Sequence, residues 1–291
     1  MIIDGHVHVD SLRNSGNQAD PKKLMNALNQ CGLAGAVILS QHPTLHEMNG
    51  VCTSAADRLN NLTSWTQDQE TLYPFFFINP LDEDAPEQVK NALKAGVDGF
   101  KVICNTHYPG DSRAMKIYQL IADAHKPILF HSGILWDGRV SAHFNRPAEF
   151  ECLLDIKGLR FILAHVSWPW VDECIAVYGK FANTHAHRAD FDVEMFIDIT
   201  PGTPAIYREE VLTKLMRVDY DLSDHVIFGT DSHAYDYNTR WTSEWIDRDT
   251  EIYKRLGISK DIQDRLFGLN LLRCLGKRPQ SIKRTIPYSG E

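Results

Sequence analysis

The sequence predicts an α/β fold, a (β/α)8 TIM barrel of one domain with extra C-terminal helices. Three observations predict it. Short apolar runs alternate with amphipathic stretches along the whole chain, eight such runs occur, and no Gly-rich phosphate turn follows the first of them. Alternating β and α at this spacing argues for parallel βαβ units, and eight units close naturally into a barrel. The missing turn counts against the competing doubly wound open sheet. Division of 291 residues by roughly 150 per domain suggests about two domains, but barrels reach about 250 residues as one. No linker interrupts the pattern, so residues 1–276 read as the barrel domain and 277–291 as a basic tail.

The predicted strands are residues 1–9, 35–39, 73–80, 97–103, 127–133, 159–167, 195–200 and 225–233. Each is short, several are rich in β-branched or aromatic residues, and their near-continuous apolar character suits strands buried on both faces. Helices are predicted between them. Residues 21–31 open with Asp20 as N-cap and Pro21 at the first helical position and close before Gly32, and 84–95 follow the same scheme up to Gly96. Further helices are predicted at about 53–68, 112–125, 147–156, 170–182, 205–218 and 242–256, with one or two more in 259–276.

Composition narrows the function classes. With 43% hydrophobic and 23% charged residues the chain can bury a core, which excludes wholesale disorder. Thirty basic against 38 acidic residues leave a net charge of −8, which argues against nucleic acid or membrane partners. No run of about 18 apolar residues spans a bilayer, and the N-terminus lacks signal-peptide features, so a soluble cytoplasmic protein is expected. The six cysteines are widely spaced and read as reduced thiols. A homo-oligomer is the default expectation from general frequency.

Chemically active residues fall at the C-terminal ends of the predicted strands, the face on which barrel enzymes build their sites. The first strand ends in His6-Val7-His8, whose imidazoles, two residues apart, point to one face. Lys101 ends the fourth strand, His131 the fifth, His165 the sixth and Asp231 the eighth. Singly, each has a structural explanation: a histidine bonded in the core, a turn-capping aspartate, a surface or ion-paired lysine. Jointly, five strands deliver bases and a carboxylate to one rim, and the imidazoles and carboxylate suit zinc, manganese or iron.

The combination resembles the amidohydrolase superfamily, and more narrowly its amidohydrolase-2 family of metal-dependent hydrolases. The resemblance rests on Ile3-Asp4-Gly5-His6-Val7-His8, Gly99-Phe100-Lys101, Phe130-His131-Ser132-Gly133, Leu163-Ala164-His165, Phe228-Gly229-Thr230-Asp231-Ser232 and Asn270-Leu271-Leu272-Arg273, and covers nearly the whole chain. It implies that His6, His8 and Asp231 bind a divalent metal, most readily Zn2+, with His131 joining them in a single-metal centre and His165 beside it as acid/base or polarising group. In two-metal relatives a carboxylated lysine, here Lys101, bridges both ions and His131 and His165 hold the second. One metal is favoured here, because the resemblance is closer to single-metal members.

The chemistry so implied is metal-assisted hydrolysis of a small amide, ester or lactone. Bound Zn2+ lowers the pKa of its water from about 15.7 towards about 7, Asp231 takes the proton as general base, and His165 polarises the carbonyl. Specificity is expected from loops above the strands. Trp136, Arg139, Trp168 and His233 are the principal substrate-binding candidates, with His107, Tyr108, His143, Arg146, Trp170, Tyr235, Tyr237 and Arg240 around them. Arginines near a metal suggest an anionic small-molecule substrate. A second His-x-His, His185 and His187, is expected in a surface loop over 183–192. The alternative is a non-oxidative decarboxylase of a small aromatic or unsaturated acid on the same site. A phosphoesterase and a metabolite-sensing barrel without turnover are further rivals.

Overall fold

The computed structural model describes residues 1–9, 19–43 and 54–277. Cys52, the first residue of the helix expected from 53 and tail residues 278–291 lie outside them. Nine strands form one parallel sheet: β1 Ile2–His8, β2 Leu33–Leu39, β3 Leu72–Phe77, β4 Gly99–Val102, β5 Ile128–Phe130, β6 Arg160–Leu163, β7 Glu194–Asp198, β8 Val226–Ile227 and β9 Ser232–His233. The order is β8-β7-β6-β5-β4-β3-β2-β1-β9. The eight apolar runs therefore become nine strands, because the last run is broken in two. Its first half pairs with β7 and its second with β1, so the segment 226–233 touches both ends of the sheet. Gly5 N–H donates to Phe228 O at 2.9 Å across the break. A Cβ on Gly5 would lie 2.7 Å from that oxygen, so only glycine allows the approach.

Helices connect the strands: α1 Pro21–Gln30, α2 Ala55–Thr66, α3 Ala85–Lys94, α4 Ser112–Asp123, α5 Val171–His187, α6 Arg208–Arg217 and α7 Thr239–Arg255, with α8 Lys260–Asp264 and α9 Asn270–Cys274 at the end. Asp20 caps α1 through Lys23 N–H, with Pro21 opening the helix as its sequence predicts. Two expectations need correction, while the one or two helices expected in 259–276 are present as α8 and α9, joined by a π-helical turn, Arg265–Leu269. Pro147–Asp155 is a 3-10 rather than an α-helix. The predicted loop over 183–192 is largely helical, because α5 continues to His187 and carries His185 and His187 on its last turn.

Two apolar clusters flank the strands. Ala36, Ile38, Phe76, Phe100 and Val102 pack towards the helices. Val37, Leu39, Phe75, Leu129, Ile162, Phe196 and Ile227 form the second cluster, to which α9 adds Leu271 and Cys274. This alternation decides which polar groups share the second face. The Phe75 ring lies where a Gly99 Cβ would be, so Lys101, two residues on, faces the same way. In β1, Ile3 belongs to the second cluster while Val7 and Val9 belong to the first. A register irregularity between Asp4 and Val7 makes that switch, and it turns His6 and His8 onto the second face.

Behind the sheet a buried ion pair anchors the β7 end. Arg208 and Asp249, both fully buried, form a bidentate pair at 2.8 and 2.6 Å, and the guanidinium also grips the carbonyl of Ile199. Arg208→Met leaves Asp249 buried without its cation and should cost about 3–5 kcal/mol in urea unfolding. At the start of β7, burial pushes the Glu194 carboxyl up, but His225 and Arg273 more than offset it and hold it at about 2. A carboxyl depressed in the folded state stabilises above its unfolded pKa and loses that contribution as pH falls towards the folded one. The destabilisation by Glu194→Gln should therefore be largest at pH 7 and shrink between pH 4.5 and 2, measured as urea midpoints across that range.

Candidate metal centre

The end of β1 and the break between β8 and β9 bring three side chains together. His6, His8 and Asp231 each offer one ligand atom, all within 4.8 Å of one another. Asp231 Oδ1 lies 3.6 Å from His6 Nε2 and 3.2 Å from His8 Nε2. A tetrahedral ion with bonds of roughly 2.1 Å separates its ligands by roughly 3.4 Å, so this spacing fits a zinc-sized cation. Around this group the rings form a chain. His165 lies 5.1 Å from His6 and 5.1 Å from His131, centre to centre, and His233 lies 6.2 Å from His8. Among the described residues, His6 Nε2, His131 Nε2 and His165 Nδ1 are buried without a hydrogen-bond partner. Buried polar atoms are normally satisfied, so unsatisfied imidazole nitrogens beside a carboxylate are what a cation would complete.

Electrostatics keep these groups in ligand form. Burial, reinforced by the nearby charge of Lys101, pushes His6 down to about 4. Burial likewise drives His131 well below the ordinary range and lowers His165, so all three are neutral near pH 7. Asp231 moves the other way: its partial shielding from water would raise its carboxyl, but the His8 hydrogen bond and the His6 and His165 charges hold it well below the usual range.

Local backbone explains the placement. His131 and His165 stand just past the ends of β5 and β6. His165, Val166 and Ser167 are three successive non-glycine residues at positive φ, of 60°, 45° and 55°. Such conformations persist only where the surroundings fix them. Ser132 donates to Ser167 Oγ at 2.7 Å, Trp168 N–H returns to His165 O at 3.0 Å, and a Cβ on Gly202 would meet His165 at 2.9 Å. Asp231 also has positive φ, 59°, and its turn is held by Asp4. That fully buried carboxylate accepts from His6 N at 3.1 Å, Thr230 N at 2.9 Å, Thr230 Oγ1 at 2.5 Å and Tyr237 Oη at 2.7 Å. Burial nonetheless raises it to about 6.

Of the sequence-predicted residues, His6, His8, His131, His165, Asp231 and His233 thus stand together. Lys101 is buried at the end of β4, where its charge acts on His6, His131 and His165. Trp136 and Arg139 are exposed in the loop after β5, and no hydrogen bond or ring contact ties them to the histidines among the described residues. Trp168 is half-buried, 6.3 Å from the Tyr207 ring. Several secondary candidates are engaged elsewhere: Arg146 pairs with Glu173 and Arg240 with Glu244, Tyr235 packs on Trp65, and Tyr237 is buried against Asp4.

Two buried carboxylates to which the sequence analysis gave no role adjoin the cluster, Asp4 and Asp198. Asp198 Oδ2 lies 2.8 Å from His6 Nδ1. Its signal was available, since Asp198 lies near the end of the predicted seventh strand, as Asp231 lies near the end of the eighth, and it closes β7.

The family model described as amidohydrolase matches residues 3–277, and the chain belongs to that family. No curated relative matches the sequence. Among solved structures, the chain is similar to 2,6-dihydroxybenzoate decarboxylase from Rhizobium at 11% identity, TM-score 0.62, covering 95% of this chain and 98% of that one. A probable 2-pyrone-4,6-dicarboxylic acid hydrolase from Acinetobacter baumannii, with citric acid bound, matches at 12% and 0.59, covering 94% and 99%. An amidohydrolase from Burkholderia multivorans with bound zinc matches at 10% and 0.62, covering 95% and 99%. At these identities the likeness is one of fold.

Gly229 tests how tightly the centre is built. A Cβ there would lie 2.3 Å from Thr200 Oγ1 and 3.0 Å from His6 Cβ. Gly229→Ala should cost about 1–3 kcal/mol through overpacking and weaken zinc retention in dialysis against a chelator. Unchanged retention would show that the His6 position tolerates displacement.

Proposed function

We propose that the protein is a metal-dependent hydrolase whose single divalent ion, most readily Zn2+, is held by His6, His8 and Asp231 with His131 completing the set. The observation that carries this reading is the convergence of the three ligand atoms within 4.8 Å, beside buried imidazole nitrogens without partners. When bound, such an ion supplies a Lewis acid and a water whose pKa falls towards about 7. Asp231, ionised and 38% exposed, faces solvent at the ligand cluster and can take a proton from water and return it to a leaving group. His165, neutral and held by its strained segment, orients or polarises the substrate carbonyl. Lys101 adds fixed positive charge, which favours an anionic amide, ester or lactone.

The same reading takes residues 1–276 as one domain and counts β8 and β9 as a single interrupted strand, so that eight strands close into a (β/α)8 barrel with the cluster at its C-terminal mouth. Trp168 and His233 are proposed to contact substrate directly, and Trp136 and Arg139 to do so from the loop after β5. Among the described residues no helix is long and apolar enough to cross a membrane, and the net charge of −8 argues against a nucleic-acid partner; a cytoplasmic enzyme with a small-molecule substrate is proposed. The decarboxylase of the same fold supports a second reading, in which the ion holds the carboxylate of a small aromatic or unsaturated acid.

A panel of small anionic lactones, esters and amides, run beside hydroxybenzoic acids with carbon dioxide release as readout, separates the two. Asp231→Asn should lower hydrolysis by about 100-fold or more, the range of a lost general base, with circular dichroism unchanged. Undiminished hydrolysis by Asp231→Asn would overturn the assignment, and activity on the acids alone would favour the decarboxylase.

A further inference from the structure

Asp198 carries a role that the ligand set leaves open. An imidazole binds a cation through a deprotonated nitrogen, and which nitrogen is free depends on what the other one bonds. His6 Nε2 faces His8 and Asp231, while His6 Nδ1 lies 2.8 Å from Asp198 Oδ2. Both residues are essentially buried, so no water competes for that contact. Asp198 is itself fixed. Its Oδ1 accepts from Thr200 N at 2.5 Å and from Thr200 Oγ1, and the next carbonyl in the chain, Ile199 O, is gripped by the buried Arg208. Gly229 leaves the room that Thr200 needs, since a Cβ there would strike its hydroxyl at 2.3 Å.

We infer that Asp198 is the positioning residue of the centre: its buried carboxylate accepts the Nδ1 proton of His6, locks that tautomer and ring orientation, and keeps Nε2 free for the cation. Burial with a fully occupied second oxygen makes Asp198 a fixed anion behind the ligand, not a group that exchanges protons with substrate. The role rests on the metal reading given above, and it assigns β7, which supplies no ligand, a direct part in the site.

The test uses the full chain stripped of metal and titrated with zinc against a chromophoric chelator, for wild type, Asp198→Asn, Asp198→Ala and His6→Ala. Removing such a partner weakens metal binding by about 10–100-fold, and Asp198→Ala should fall in that range. Asp198→Asn has the same shape and guards against loss of folding. Its amide can offer either an acceptor or a donor to Nδ1, so zinc affinity should drop less than in Asp198→Ala. Two-bond 1H–15N spectra of the metal-free protein give a second readout: His6 should be a single Nδ1–H tautomer in wild type and a mixture in Asp198→Asn. Wild-type affinity together with an undisturbed tautomer in Asp198→Asn would overturn the role while His6→Ala still loses zinc. Wild-type zinc affinity in His6→Ala would instead overturn the metal reading itself.

Discussion

The candidate centre depends on how β1 meets the broken segment 226–233. A parallel sheet bonds its strands through backbone groups, and this junction keeps the Gly5–Phe228 bond, but between Phe228 and Asp231 the segment leaves regular pairing and a side chain adds the remaining bonds. Asp4 occupies the gap with four donors from both sides of the junction. The carboxylate that fixes the backbone of His6 thereby also fixes the residue next to Asp231. Burial raises Asp4 to about 6 in spite of those bonds, so desolvation is still felt at a group whose geometry sets the distance between His6 and Asp231.

From that junction outward, several groups of the candidate cluster sit on backbone irregularities. His6 and His8 follow the register irregularity of β1, His165 lies in a run of positive φ, and Asp231 lies in the break after β8. Regular strands would send alternate residues to opposite faces and scatter these groups. The irregularities bring them to one place, and they are held by buried contacts: Ser132 on Ser167, Gly202 beneath His165, and Arg208 on Ile199. Strain concentrated at a polar cluster is where functional demands override regular structure.

This explains what could be read from the sequence. The strands and most helices were legible because apolar runs and caps are local signals, as Asp20 with Pro21 shows. The candidate cluster was legible because His6-Val7-His8 and the polar residues ending later strands are local patterns too. The two halves of the last strand were not, since nothing in His225-Val226-Ile227-Phe228 marks where pairing passes from β7 to β1. Asp4, although part of the opening motif, and Asp198, although at the end of a strand, were given no role, because what they do depends on partners 226 and 192 residues away. The extension of α5 to His187 was hidden by Asn183 and Thr184, residues of weak helix propensity, and Thr184 satisfies its hydroxyl on Lys180 O within the helix. The loop candidates fared unevenly for a similar reason: Arg146 and Tyr237 found partners that spacing does not reveal.

The central claim is that His6, His8 and Asp231 form a cation site. Elemental analysis of metal per chain, paired with the intact mass of the protein, tests it most directly. The account predicts close to one divalent ion per chain and a mass without an added carboxyl on Lys101. A protein that takes up no zinc or manganese after reconstitution would contradict it.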